Sequence, residues 1–136
     1  MVKKKKSTDE TETTAVITDE TAAPAVEEDR TFTSLRTKLA EINNCKGVLG
    51  YILRNATSAT IDLKDPTKLT EYAILSSQAL DSGKEISELF HIGDIENILI
   101  EGKDIKALCI TIGENKASIF MERDAAHAGI LRRVSH

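Results

Sequence analysis

Between residues 65 and 90 apolar positions recur with a helical period. At about 100° per residue, Leu69, Tyr72, Ala73, Leu75, Ser76, Ala79, Leu80, Gly83, Ile86 and Phe90 share one broad face, while Glu71, Gln78, Asp81, Glu85 and Glu88 share the other. The pattern predicts one long helix. Asp65 before Pro66 marks its start, because the carboxylate accepts an unpaired first-turn N–H and proline needs none at the first helical position. Gly83 keeps the phase and reads as a packing residue rather than a stop. The apolar face has a bulky side, Tyr72, Leu75, Ile86 and Phe90, suited to a sheet. Its flank of Ala73, Ser76, Leu80 and Gly83 would admit a second helix, from this chain or from another.

Elsewhere the period changes. Leu35, Leu39 and Ile42 predict a short first helix, capped by Thr33 or Ser34 and ending at Asn43 and Asn44. Residues 47–55 form a nearly continuous apolar strand, with Gly50 marking a bulge or a close backbone approach. A turn leads into 58–63, where Ala59, Ile61 and Leu63 alternate with Thr60 and Asp62 as in a half-buried strand. After the long helix, 93–102 reads as a strand with Ile95 and Leu99 on one face and Ile98 and Ile100 on the other. Short turns then separate strands at 105–112 and 116–121, which makes a three-stranded meander. A last helix at 124–134 carries Ile130, Leu131 and Val134 on one side, with Arg132 and Arg133 in its final turn. The order α-β-β-α-β-β-β-α predicts an α+β domain over 32–136 with a five-stranded antiparallel sheet.

Residues 1–31 differ in kind. Lys3, Lys4, Lys5 and Lys6 are followed by a Thr-, Glu-, Asp- and Ala-rich stretch with few apolar residues, so this segment reads as a disordered charged tail. A weak contact of Lys3–Lys6 with anionic lipid is one reading of the basic run, and a solubilising tail is the other. The formal net charge of −4 disfavours nucleic acid as a partner, since a phosphate footprint needs clustered cations. No apolar run is long enough to span a bilayer, and no apolar stretch follows the basic start as in a secretory signal; a cytoplasmic location is expected.

Candidate chemistry is sparse. Cys45 and Cys109 have neither disulfide nor zinc spacing and read as reduced, buried residues. His91, His127 and His136 are scattered, and no phosphate loop is present, because the GVLG of 47–50 lies within a strand and lacks the following lysine. The carboxylate pairs Asp94 with Glu96 and Glu101 with Asp104 fall at strand edges and turns. No catalytic residue, metal site or cofactor is expected, and Arg54 at a strand end is the one domain arginine with a possible functional role.

Taken together, GVLGYILRN with SATIDL, the helix LTEYAILSSQAL, and ENILIEGKDIKALCITIGENKASI resemble the roadblock/dynein light chain family over residues 32–135. The resemblance implies a dimer, of this chain with itself or with a related roadblock protein, in which the long helix and the strand at 94–101 pair across a two-fold axis. Leu69, Ala73, Ser76, Leu80, Gly83, Ile98 and Ile100 are the expected interface. It further implies a non-catalytic regulator or scaffold of a small Ras-like GTPase, or else a structural dimerisation module in a larger complex without GTPase regulation. For GTPase contact the candidates are Ile74, Gln78, Glu85 and Arg54, with Ile74 either an incidental apolar residue on a polar face or an anchor within a polar rim.

Overall fold

A computed structural model describes residues 14–18 and 26–135. They form β1 (Thr14–Thr18), α1 (Val26–Ile42), β2 (Val48–Arg54), β3 (Ser58–Leu63), a 3₁₀ turn (Pro66–Lys68) leading into α2 (Leu69–Phe90), β4 (Asn97–Glu101), β5 (Ile105–Ile112), β6 (Asn115–Glu122) and α3 (His127–Ser135). The strands build one antiparallel sheet in the order β1-β3-β2-β6-β5-β4. β2 to β6 are the five predicted strands in the predicted α+β order. β1 adds a sixth, paired along β3.

This strand and the early start of α1 depart from the expected tail over 1–31, whose remaining residues lie outside the described ones. Helix α1 begins at Val26, before the predicted cap at Thr33. The reason is visible in its burial: Phe32 continues the stripe of Leu35, Leu39 and Ile42 back by a turn, and all four are buried. Strand β4 is shorter than the 93–102 read from the sequence, and α3 starts at His127 rather than Asp124.

Helices α1 and α3 cover one face of the sheet. Their stripes meet Val48, Tyr51, Leu53, Leu108, Ile110, Ala117, Ile119 and Met121 in the larger core cluster. Each side chain fully removed from water there contributes about 1.5–3 kcal/mol. α2 covers the opposite face, where Tyr72 meets Ile52, Leu63, Ala107 and Phe120. The Tyr72 and Phe120 rings stack with centroids 4.3 Å apart.

Gly50 explains how one continuous apolar run serves both faces. The β2–β6 register shifts between Val48 and Gly50, so Leu49 packs toward α2 while Tyr51, two residues on, packs toward α1. At φ +148° a β-carbon on Gly50 would lie 2.5 Å from the Asp62 carbonyl oxygen, which makes this both the bulge and the close approach expected.

Candidate functional site

Asp65 sets the start of α2. Its Oδ1 accepts from Thr67 N at 3.1 Å and from Thr67 Oγ1 at 2.6 Å, and these bonds hold the carboxyl below its ordinary pKa. The helix then runs through Gly83 to a left-handed residue, His91, whose N–H reaches back to the Ser87 carbonyl. This is the long helix the periodicity predicted, with a 3₁₀ first turn.

Its packing departs in part from the expected division of faces: Tyr72 and Leu75 of the bulky side do pack toward the sheet, while Ile86 and Phe90 do not. Tyr72, Ser76, Ala79 and Gly83 are the buried positions, so Ser76 and Gly83 of the small-residue flank lie against the chain's own sheet rather than toward a second helix. Ser76 Oγ is 2.5 Å from Ser118 Oγ of β6, and Ser118 donates to Cys109 Sγ at 3.4 Å. Small side chains let the helix axis approach the strands, and the large ones are displaced to its sides. Ser76 and Gly83 are thus buried within the chain, although Gly83 still borders the groove between α2 and β4. Ile86 and Phe90, expected on the sheet, are exposed.

The C-terminal part of α2 and the residues just after it leave large apolar side chains on the outer surface. Ile86, Leu89, Phe90 and Ile92 are 48%, 68%, 64% and 59% exposed. Between α2 and β4 lies a groove of about 490 Å³ that includes Gln78, Ile86, Ile95, Ile98 and Ile100. Ile98 pairs with Cys109 and Ile100 with Ala107, so the two share a face, as predicted, and that face is the α2 side. Ile95 lies before the strand and packs toward Gly83, with Ile98 rather than opposite it. β4 ends the sheet order, and its outer edge has no strand partner among the described residues.

The remaining sequence candidates divide. Leu69 is exposed at the start of α2, while Ala73 and Leu80 are half-buried along its side. Ile74 is 53% exposed, and it shares the helix's outward side with exposed Gln78 and Glu85. Arg54 stands apart from them: it is half-buried at the end of β2, in register with Ala59 and Lys116, and it does not line the groove between α2 and β4. Leu89, Phe90 and Ile92 were missed as surface residues. Their signal was a run of large apolar residues bracketing His91, past the last residue that the sheet can cover.

The surroundings offer little to a reaction. Cys109 is fully buried, and burial pushes its thiol up more than the Ser118 and Ser76 hydrogen bonds lower it, which is the reverse of an activated nucleophile. Cys45, expected to be buried, is half-buried and accepts from Arg133 Nη1 at 2.9 Å. Among the described residues no group of His, Cys, Asp or Glu is arranged to hold a metal ion, and no helix is long and apolar enough to cross a membrane.

The same arrangement of sheet and helices occurs in solved structures. A Roadblock/LC7 domain from Streptomyces avermitilis matches with a TM-score of 0.59 and 15% identity, over 79% of this chain and 88% of that one. The fold is the roadblock fold. MglB of Myxococcus xanthus matches with the same TM-score at 13% identity, over 76% of this chain and 88% of its own. No family model and no curated protein sequence matches the chain. On this roadblock fold α2 and β4 supply the candidate surface, and β1 is appended to the far edge.

Proposed function

We propose that the chain is a non-catalytic roadblock module that dimerises through β4 and α2, and that the joined surface holds a small Ras-like GTPase in the cytoplasm as regulator or scaffold. The observation that carries this reading is the β4 edge, which has no strand partner among the described residues, beside a groove lined by exposed Ile86 together with Ile98 and Ile100. An unpaired strand edge next to a strip of large apolar side chains is the arrangement that edge-to-edge pairing covers. Leu69, Leu80, Ile98 and Ile100 join that seam. The GTPase contact is assigned to the outward stripe of Ile74, Gln78 and Glu85, and Arg54 has no part in it.

Sedimentation of the full chain tests the first half, with a two-copy species expected at micromolar concentration. Calorimetry against purified small Ras-like GTPases from the same organism, each loaded with GDP or a non-hydrolysable GTP analogue, tests the second. Binding that depends on the nucleotide supports regulation. A dimer that binds no GTPase in either state would replace it with the structural-module reading.

A further inference from the structure

On the sheet face opposite α2, and toward the edge away from β4, an open groove of about 550 Å³ lies between α1 and the strands β2 and β3. All but one of its lining residues are polar. Arg36 contributes a guanidinium, Tyr51 a phenol and Thr60 a hydroxyl. Glu41 in the last turn of α1 and Asn44 in the turn just after it contribute a carboxylate and an amide. The Asn44 amide nitrogen donates to the Ala40 carbonyl at 3.5 Å, which leaves its oxygen as an acceptor.

Thr60 is the telling residue. It is 1% exposed, yet its Oγ1 has no hydrogen-bond partner among the described residues. An unpaired buried hydroxyl costs about 1–3 kcal/mol, and native structures nearly always satisfy such groups with protein, water or ligand. Tyr51 lines the same groove. Burial, and then the Asp62 carboxylate, pushes its phenol up against a lowering by Arg36, so it stays a neutral O–H donor near neutral pH.

We propose that this groove binds a small zwitterion, a carboxylate and an ammonium on one short frame as in a free α-amino acid. The carboxylate sits among the donors Arg36, Tyr51 and Thr60, and the ammonium is held by Glu41 and Asn44. Mixed charge in the lining favours this class. A simple anion would meet Glu41 and Asp62 as well as Arg36, and a simple cation would meet the guanidinium. The groove is separate from the β4 edge and from the outward side of α2, so it does not depend on dimerisation or on GTPase contact. Thr60 and Asp62 of its lining stand in register with Val16 and Thr14 of β1. Ligand on Thr60 therefore tightens the strand pair that joins β1 to the sheet.

Calorimetry of the full chain against a panel of free amino acids tests the proposal, alongside the matching amines without carboxylate, the matching acids without amine, glucose and inorganic phosphate. At least one amino acid is expected to bind saturably. Each analogue lacking one charged group should bind about tenfold more weakly or worse. Arg36→Gln and Thr60→Val should each weaken binding about fivefold or more with the melting temperature kept. If Thr60→Val perturbs folding, Thr60→Ser must retain both fold and binding. Bound ligand should slow amide exchange over 58–62. The proposal is overturned if no amino acid binds, if phosphate or glucose binds as well as any amino acid, or if binding survives both substitutions unchanged, in which case Thr60 is satisfied by water.

Discussion

The Cδ1 of Ile98 occupies the space that a side chain on Gly83 would need: a β-carbon built on the glycine would lie 2.5 Å from it. The strand that carries the proposed seam is thus seated by the absence of a side chain on α2. Gly83→Leu should destabilise the folded chain by about 1–3 kcal/mol through overpacking. Gly83→Ala sets a helix gain of about 1 kcal/mol against a displaced methyl group. Its net effect should be small in the native background and clearly stabilising beside Ile98→Val, which lacks Cδ1. Denaturant melts of the four species check this, and equal effects of Gly83→Ala in both backgrounds would contradict the contact.

Alkaline stability should follow the buried thiol. Burial raises Cys109 from its ordinary 9.0, so the folded state keeps a proton that the unfolded state releases. Its contribution is complete below about pH 9 and declines as pH rises through the folded value. Tyr51 and Tyr72, both raised from 10.0 chiefly by burial, act in the same direction at higher pH. Denaturant midpoints should fall between pH 8.5 and 10.5, and Cys109→Ala should flatten the first part of the decline. A midpoint that rises with pH would show that the thiol is not buried in solution.

The β4 edge has its own test. Ile86 is exposed within one chain, so Ile86→Asp should leave the monomer's core intact while it disrupts any seam that covers it. Sedimentation should then show a single-copy species with native circular dichroism. Hydrogen exchange offers a second view, since β4 amides should lose protection on dilution of the wild type alone. Protection that ignores concentration would mean that the edge is covered from within the chain.

Ile74 separates partner binding from assembly. Its side chain lies on the outward side of α2 and belongs to neither core cluster. Ile74→Asp should abolish GTPase binding in calorimetry while dimer mass and melting temperature stay as in the wild type. Loss of dimer mass as well would place Ile74 in the seam.

Much of the fold was legible because periodicity reports burial directly. The stripes of α1, α2 and α3 and the meander of β4 to β6 could be read from apolar spacing. What spacing does not report is which side of a broad apolar face receives the neighbouring layer. Side-chain size suggested the bulky side of α2 for the sheet, and Tyr72 does stack on Phe120, but farther along the helix the buried positions are the small Ser76, Ala79 and Gly83, with Ile98 filling the space beside Gly83. β1 was illegible for a different reason. Its five residues, TAVIT, have no environment of their own, and they become a strand only beside the β3 edge. The same local blindness hid Thr60, which alternation placed on the open side of its strand. The candidate surface was found in part. Ile98, Ile100 and Ile74 were legible as exposed or edge residues, while Leu89, Phe90 and Ile92 depend on where the sheet stops.

With β1 laid along β3, the sheet of each chain ends in two unlike strands, β1 on one side and β4 on the other. Only β4 borders the groove that Ile86, Ile98 and Ile100 line, and four strands separate it from β1. Pairing of β4 with its own symmetry mate uses the same edge on both copies, so that contact closes at two. The joined sheet would then carry a β1 strand at each of its far ends.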